Sequence, residues 1–222
     1  MSRTLAPARQ PAAGGHPPHS GRQRARTQRG GEQRARILAV AARLFAEQGY
    51  AGTTLAQIAQ ALGVSKPFVY YYFRDKQEVL ETLSWPPAVE CFTALDFAAD
   101  DPRRASQKVL DGLGRLIRAT IDHHPAAFFP YLEPQAYRPE YRAAQKKLAR
   151  HFYARLYPLL EQARADGDLD FRDTQLTALA ACSLPGFLYY WYRPDGRLPP
   201  EAVAAELTAL AARVLGLRGA AC

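Results

Sequence analysis

The apolar positions between residues 32 and 83 repeat at helical spacing and divide into short segments. The first segment places apolar side chains at i, i+3, i+4, i+7 and i+8, which is one face of a helix. Those side chains are Ile37, Val40, Ala41, Leu44 and Phe45. Gly49 is expected to end this helix, because glycine readily adopts the left-handed conformation that follows a helix. Residues 54–62 repeat the apolar face, and Gly63 closes them.

Polar residues predict where the following helices begin. Thr54 precedes the second helix, and Gln57 stands three residues later, which is the spacing of a capping box. Ser65 is the expected N-cap of a third helix, and Asp75 that of a fourth. Only Gly63-Val64 joins the second helix to the third, so the pattern favours a helix-turn-helix. An ordinary helical hairpin is the alternative that spacing alone leaves open.

Helical periodicity continues along the rest of the chain. The predicted segments lie near residues 88–98, 102–123, 138–165, 173–192 and 200–215. Trp85-Pro86-Pro87 is expected to kink or end the fourth helix, because proline lacks the backbone N–H that a helix uses. No segment shows sustained alternation with a period of two. The sequence therefore predicts an all-α fold.

Charge is distributed unevenly along the chain. The formal net charge is +8, and residues 1–31 contain six arginines, five glycines and no acidic residue. This composition predicts a disordered basic arm, which either contacts a polyanion or is a solvated extension without a role. No apolar run is long enough to span a bilayer, and no secretory signal is visible. Three widely spaced cysteines indicate neither a disulfide framework nor a zinc site, so a cytoplasmic location is expected.

Residues 63–76, GVSKPFVYYYFRDK, concentrate aromatic rings, hydroxyl groups and positive charge. On a helix capped by Ser65, Val69 and Phe73 face inward. The exposed leading turn is the part of a recognition helix that meets base edges, and tyrosine hydroxyls can donate to phosphates. The predicted contacts are Lys66, Pro67 and Phe68 with bases, and Tyr70, Tyr71, Tyr72 and Lys76 with phosphates. The alternative is that the tyrosines only cover the underside of a helical domain.

Residues 32–80 resemble the DNA-binding domain of the TetR family of bacterial transcriptional regulators. The family-typical features are Phe45, Gly49-Tyr50, Thr53-Thr54, Ile58-Ala59, Gly63-Val64-Ser65, Tyr70, Phe73, Lys76 and Leu80. The resemblance implies a homodimer that binds operator DNA, with a larger C-terminal domain for dimerisation and a ligand. It also implies that Thr54, Tyr70 and Lys76 contact phosphates. Ser65 completes the predicted DNA-binding set.

Two residues depart from the family pattern. Pro67 stands where the family usually has a small residue, and Phe68 is bulkier than most residues at its position. Neither side chain can form a hydrogen bond with a base edge. Direct recognition of bases is therefore expected to rely on thymine methyl groups and on DNA shape.

The expected domains are a basic arm (1–31), a DNA-binding domain (32–80), and a ligand-binding and dimerisation domain (81–222). Residues 191–216 resemble the closing segment of TetR regulators that respond to acyl-CoA thioesters. The helices near 173–192 and 200–215 are expected to form the dimer through a seam of Val203, Leu207, Leu210 and Val214. The candidate ligand-binding residues are Ile117, Ile121, Phe128, Phe129, Tyr153, Tyr157, Phe187 and Tyr190.

Other chemistry finds little support in the sequence. The aspartates of residues 166–173 lack the glycine and glutamate of a calcium loop, so helix capping is preferred. His123 and His124 are adjacent, so on a helix their side chains point in different directions and cannot bind one metal ion. A basic stripe of Arg138, Arg142, Lys146 and Arg150 is either a solvated face or a landing site for a CoA diphosphate. Cys182 is expected to be a small core residue rather than a redox switch.

These observations predict a ligand-responsive transcriptional repressor that a small hydrophobic or acyl-CoA-type effector releases from DNA. No cofactor, metal or membrane partner is expected, and no phosphate-loop, dinucleotide or hydrolase motif indicates an enzyme. Two alternatives stay open: a constitutive DNA-binding protein without a ligand, and an all-α enzyme with an appended helix-turn-helix.

Overall fold

The computed structural model describes the backbone of residues 19–218 and the side chains of residues 28–218. The chain divides into two units, Met1–Arg36 and Ile37–Cys222. The helices are α1 (His19–Gly52), α2 (Leu55–Leu62), α3 (Lys66–Tyr72), α4 (Lys76–Phe92), α5 (Ala105–Asp122), α6 (Phe129–Leu132), α7 (Pro139–Ala165), α8 (Thr174–Ser183), α9 (Leu188–Trp191) and α10 (Pro200–Val214). Short 3-10 turns occupy Ala126–Phe128, Pro134–Ala136 and Leu184–Phe187. The all-α prediction is confirmed.

The first unit differs from the prediction of a disordered arm. Residues 19–31 belong to α1, whereas residues 1–18 lie outside the described residues. Arginine and glutamine are good helix formers, and extending an existing helix requires no new nucleus. The side chain of Gln28 also donates a hydrogen bond to Glu32 one turn later. The helical segment therefore extends beyond the boundary that composition suggested.

Two further boundaries differ from the sequence prediction. Helix α4 continues through Pro86 and Pro87 to Phe92. Pro87 and Ala88 are buried, so packing on this stretch offsets the hydrogen bond that each proline removes. The helix predicted over 173–192 instead breaks into α8, a 3-10 turn that contains Pro185, and α9. Within the described part of the chain, no helix is both long enough and apolar enough to cross a membrane.

The second unit begins with a small hydrophobic core that joins α1 to α4. Its buried residues include Ile37, Ala41, Phe45, Leu55, Ile58, Val69, Phe73, Val79 and Leu80. Val69 and Phe73 are 0% and 1% exposed, which confirms that this face of α3 points inward. Gly49 has a φ of 76°, so it interrupts the helical conformation where the sequence predicted the helix to end. The buried Thr53 hydroxyl then donates to the Leu44 and Gly49 carbonyls.

The larger C-terminal part of the unit contains two more hydrophobic clusters. One packs α5, α7, α8 and α10 together and includes Val109, Leu113, Phe152, Leu156, Leu160 and Leu215. The other packs the C-terminal half of α5 against α9 and α10 and includes Ile117, Ile121, Phe128, Leu188, Tyr192, Val203 and Leu207. Helix α4 contacts both α5 and α7. It therefore connects the C-terminal clusters to the core around α3.

Helix α5 approaches the segment after α4 very closely at Gly112. A Cβ atom added at Gly112 would lie 2.2 Å from Leu95 Cδ2, and Leu95 is only 1% exposed. The Leu95 side chain is thus confined and cannot turn aside cheaply. Gly114, two residues later on the same helix, has only ordinary contacts at 3.6 Å or more.

This difference predicts opposite effects of alanine at the two glycines. We expect Gly112→Ala to lower the free energy of unfolding by about 1–2 kcal/mol, because overpacking outweighs the gain in helix propensity. Gly114→Ala should raise it by about 0.5–1 kcal/mol. Urea denaturation followed by circular dichroism measures both values. Equal stabilisation by the two substitutions would contradict the close approach of α5 to Leu95.

Candidate nucleic-acid interface and effector cavity

Local capping interactions fix the orientation of α2 and α3. The Thr54 backbone N–H donates to the Gln57 side chain at 2.7 Å, and the Gln57 N–H donates to the Thr54 hydroxyl at 3.2 Å. The predicted capping box is therefore confirmed. Gly63 closes α2 in the left-handed conformation with a φ of 68°. Ser65 is the N-cap of α3 as predicted, but its hydroxyl makes no capping hydrogen bond.

The outward face of α3 presents positive charge and phenolic hydroxyl groups. Tyr71 is 77% exposed and Tyr70 is 47% exposed. The Lys66 ammonium lies 5.8 Å from the centre of the Tyr70 ring, and Pro67 is exposed beside it in the first turn. Thr54 is also exposed at the start of α2. Within the described part of the chain, none of these side chains has a carboxylate among its hydrogen-bond partners. Their donors and positive charge are therefore available to a polyanion.

Phe68 and Tyr72 are less exposed than the predicted contacts with DNA would require. Both side chains are partly buried and pack against the core of the helix-turn-helix. Their ring centres are 5.3 Å apart, and Tyr71 meets the edge of Tyr72 at 5.0 Å. Phe68 and Tyr72 therefore hold α3 on the domain, while Tyr70 and Tyr71 remain available at the surface.

Lys76 forms contacts that sequence reasoning missed. Its Nζ donates a hydrogen bond to the Tyr50 carbonyl oxygen at 2.5 Å and lies 4.1 Å from the centre of the Tyr50 ring. Burial lowers the pKa of Lys76, and the Glu133 carboxylate acts in the opposite direction. The ammonium has three N–H donors, so this bond leaves donors for a phosphate. The contact places the positive charge at the start of α4.

Arg138 joins α4 to the beginning of α7. Its guanidinium donates to both Asp75 carboxylate oxygens, at 2.7 and 2.9 Å, and also to the carboxylate of Glu81. The Arg138 backbone N–H donates to Glu81 as well, at 2.8 Å, and Gln77 donates to the Ala136 carbonyl at 2.7 Å. We call this group of contacts, centred on Arg138, Asp75 and Glu81, the Arg138 clamp.

The Arg138 clamp removes Arg138 from the predicted basic stripe. Arg138 is the N-cap residue of α7 and is occupied by two carboxylates, whereas Arg142, Lys146 and Arg150 are exposed. Burial alone would raise the pKa of Asp75, but the Glu78 N–H and the Arg138 guanidinium together hold this pKa below its usual value. Spacing could not reveal the clamp, because its carboxylates lie some sixty positions earlier in the chain.

A cavity of about 670 Å³, including its opening to solvent, lies between α4, α5, α7 and the turns that follow α5 and α8. Its lining residues are Ser84, Pro87, Ala88, Cys91, Phe92, Leu116, Thr120, Ala127, Phe128, Pro130, Tyr131, Gln145, Phe152, Tyr153, Cys182, Pro185 and Gly186. The lining is mainly apolar, with hydroxyl, thiol and amide groups at a few points.

The structure brings only part of the predicted ligand-binding set to this cavity, namely Phe128 and Tyr153. Tyr157 stacks on Tyr153 with ring centres 5.5 Å apart, and Ile117 and Ile121 are buried core residues. Phe129 packs on Phe45 in the helix-turn-helix core, and Phe187 and Tyr190 are 62% and 65% exposed. Aromatic density in the sequence cannot distinguish these environments, since each depends on which helix face meets a neighbour.

Two thiols of the cavity remain protonated near neutral pH. Burial raises the pKa of Cys91 to about 11 and that of Cys182 to about 12. The Cys91 sulfur also lies 3.7 Å from the Thr120 hydroxyl. Protonated thiols are poor nucleophiles, so this chemistry agrees with the interpretation of Cys182 as an ordinary packing residue. Among the described residues, no group of three or more histidine, cysteine or acidic residues is arranged to hold a metal ion.

Helices α8, α9 and α10 expose an apolar surface. It consists of Leu176, Leu179, Phe187, Tyr190, Trp191, Leu210 and Val214, which are between 40% and 68% exposed. This apolar surface differs from the predicted seam, because Val203 and Leu207 are buried in the core of the same chain. Leu210 and Val214 alone of the predicted seam remain on the surface. Helical periodicity placed all four on one side but could not show that α5 covers half of them.

The Arg138 clamp predicts a loss of stability that depends on pH. We expect Arg138→Gln to lower the free energy of unfolding by about 1–3 kcal/mol at neutral pH, because Asp75 and Glu81 lose their cation. Arg142→Gln, an exposed control on the same helix, should change it by less than about 0.5 kcal/mol.

The pH dependence follows from the depressed pKa of Asp75. Its contribution is present above the unfolded-state pKa of about 3.9 and is lost as the pH falls through the folded-state pKa. Denaturation curves of wild type and Arg138→Gln should therefore converge in acid. A difference that stays constant down to low pH would contradict the ion-pair interpretation.

Two family models match the chain over most of its described length. The model for bacterial regulatory proteins of the tetR family matches residues 37–83. The model for the tetracyclin repressor-like C-terminal domain matches residues 102–215. Together they cover the helix-turn-helix and the helices from α5 to α10, and residues 84–101 lie between them.

Individual relatives agree with this assignment. The transcriptional repressor KstR2 of Mycobacterium tuberculosis is 25% identical over 191 residues, which cover 80% of this chain and 90% of KstR2. Several other curated relatives match over a short segment only, so that the chain spans 21–25% of their length.

Solved structures show the same fold. The TetR family transcriptional regulator PfmR from Thermus thermophilus is 28% identical, with a TM-score of 0.69 over 84% of this chain and 99% of PfmR. AibR, solved in complex with isovaleryl coenzyme A and operator DNA, is 21% identical, with a TM-score of 0.63 over 80% of this chain and 96% of AibR. At that identity AibR shows the fold alone. By its two matching family models, the chain belongs to the tetR family of bacterial regulatory proteins.

Proposed function

We propose that this protein is a ligand-responsive transcriptional repressor. It binds operator DNA as a homodimer through α2 and α3, and a small hydrophobic or acyl-CoA-type ligand in the cavity releases it. The observation that carries the proposal is the exposed surface of Lys66, Tyr70 and Tyr71 on a helix whose opposite face is fixed by Val69 and Phe73.

The outward face of α3 suits the major groove of DNA. The first turn of a recognition helix contacts base edges, and here it carries Lys66 and Pro67. The hydroxyls of Tyr70 and Tyr71 can donate to phosphates on either side, and Thr54 and Ser65 offer further donors at helix starts. The Lys76 ammonium adds a charge at the start of α4. These contacts position the protein, whereas apolar contacts of Pro67 and of the partly buried Phe68 contribute to sequence preference.

The apolar surface of α8, α9 and α10 supports the homodimer. Exposed apolar side chains on neighbouring helices commonly mark an interface, and α8 and α10 are in contact. Two copies related by a twofold axis would bury this surface against itself, since such an interface uses the same patch on both subunits. The dimer would then present two α3 helices to half-sites about 34–36 Å apart, which is one turn of DNA.

The position of α4 supports a ligand switch. The cavity is lined on one side by residues of this helix, namely Ser84, Pro87, Ala88 and Cys91. The start of the helix carries Lys76 and is bound by Arg138 through the carboxylate of Asp75. A ligand that displaces the middle of α4 would therefore move α3 and alter the spacing of the two recognition helices. To shift the ratio of the DNA-binding to the DNA-released conformation from 99:1 to 1:99, the ligand must prefer the released conformation by about 5.5 kcal/mol.

The first test of the proposal concerns phosphate contact. We expect Lys76→Ala to weaken binding to specific and random DNA alike and to reduce the salt dependence of log K by about 0.9 per subunit. Fluorescence anisotropy at several salt concentrations measures both. Lys147→Ala, which removes an exposed lysine of α7, serves as the control and should leave the slope unchanged. An unaltered slope for Lys76→Ala would place this ammonium away from the DNA backbone.

The second test concerns the homodimer. We expect Leu179→Glu to convert the protein into a monomer and to weaken operator binding strongly, because a buried unpaired carboxylate opposes association. Light scattering after size-exclusion chromatography measures the mass. Leu132→Glu, at an apolar position that is 48% exposed but lies on α6, is the matched control and should leave the mass unchanged. A dimer that survives Leu179→Glu at low concentration would exclude this surface as the interface.

The third test concerns the switch. An operator is first selected from random DNA with the purified protein, and acyl-CoAs, fatty acids and uncharged hydrophobic compounds are then titrated into the complex. An effector should release the DNA, and operator DNA should weaken binding of the same effector by the same factor, because coupling is reciprocal. If saturating concentrations of every compound leave operator affinity unchanged, the protein is a constitutive DNA-binding protein.

A further inference from the structure

The lining of the cavity is free of permanent charge. Among the described residues that form it, none is a lysine, arginine, histidine, aspartate or glutamate. The ionisable groups that are present are thiols and phenols, and burial raises the pKa of Cys91, Cys182 and Tyr153. These groups are therefore neutral at physiological pH. The cavity offers no counterion to a charged ligand.

A charge placed in such a cavity loses hydration without gaining an ion pair. Burying an unpaired carboxylate is strongly unfavourable even after the protein relaxes. A neutral group of the same shape avoids this cost. Arg142 and Lys146 flank Gln145 on α7, but they line a separate depression with Pro134, Gln135 and Pro139.

Most polar groups of the cavity are already satisfied by the protein. Thr120 donates to the Leu116 carbonyl at 2.8 Å. Ser84 donates to the Leu80 carbonyl at 2.9 Å, and its hydroxyl also lies 2.7 Å from the Tyr137 hydroxyl. The Gln145 amide and the Tyr131 hydroxyl differ, since neither has a hydrogen-bond partner within the described part of the chain. Tyr131 is 68% exposed, whereas Gln145 is partly buried. The Gln145 amide is therefore the better placed of the two to meet a ligand inside the cavity. This amide offers two N–H donors and one acceptor, all of them uncharged.

We infer that the cavity takes an uncharged, mainly apolar molecule that carries one carbonyl, amide or hydroxyl group, and that Gln145 recognises this group. The inference deepens the proposed function and rests on it for the site, because it specifies the charge of the part of the effector that enters the cavity. Free fatty acids are disfavoured, since their carboxylate would have to enter an uncharged lining. The apolar side chains of Phe92, Leu116, Phe128 and Phe152 enclose the remainder of the molecule.

Matched compounds test this inference directly. Isothermal titration of the full chain near neutral pH compares 3-phenylpropanamide with 3-phenylpropanoate, and decanamide with decanoate. Within each pair the apolar part is constant, and only the head group changes, from a neutral amide to a carboxylate. At least one amide should bind at least about tenfold more tightly than its carboxylate. Failure of both amides to do so, or no binding of either amide, overturns the inference.

Variants locate the binding and identify the recognising group. Gln145→Lys places a cation in the lining and should reverse the preference in favour of the carboxylate, whereas Arg142→Gln on the exposed face of α7 should leave amide binding unchanged. Gly186→Leu should weaken amide binding, since Gly186 lines the cavity and a side chain added there meets nothing within 4 Å of its Cβ atom. Unchanged amide binding in both Gln145→Lys and Gly186→Leu would place the ligand outside this cavity.

Operator binding is measured in parallel, so that the two proposals fail separately. If an amide binds in the cavity but does not release DNA, the ligand switch fails and the inference on ligand class stands. If DNA is released by decanoate and by neither amide, the switch stands and the inference is overturned. Release by an amide that Gly186→Leu prevents supports both.

Discussion

The structure depends on the participation of α4 in two hydrophobic cores. Val79 and Leu80 near its start are fully buried in the core that supports α3, while Ala88 and Cys91 nearer its end face the cavity and α5. Protein interiors are close-packed, so α4 cannot adjust freely at one end without consequences at the other. A ligand that enters the cavity must therefore displace either the side chains of the lining or α4 itself.

Charged contacts fix the first turns of α4 in addition to this packing. Asp75 caps the helix by accepting from the Glu78 N–H at 2.7 Å, and Arg138 binds the same carboxylate from the start of α7. The Arg138 guanidinium is largely covered, which strengthens the interaction relative to an exposed surface pair. Lys76 meets the Tyr50 carbonyl on the other side. The helix that would transmit a ligand signal is thereby held where α1, α3 and α7 meet it.

The local structure of the helix-turn-helix was largely predictable, whereas the cavity was not. Thr54, Ser65 and Val69 occupy the positions that capping and periodicity assigned to them, because those rules act within a few residues of the chain. Phe128 and Tyr153 reach the cavity, but Phe187 is exposed. The cavity forms between helices that are distant in sequence, and no local pattern specifies which of their faces remain uncovered.

The sequence by itself determined the helical fold, the turn between α2 and α3, and the family, since each depends on short-range patterns of apolar, capping and glycine residues. Only the tertiary structure decided that Arg138 is a clamp rather than part of a solvated stripe, that Lys76 contacts Tyr50, and that the cavity lining is uncharged. These features join residues far apart in the chain. Their energies come from burial and from distances between side chains, which exist only after the helices have packed.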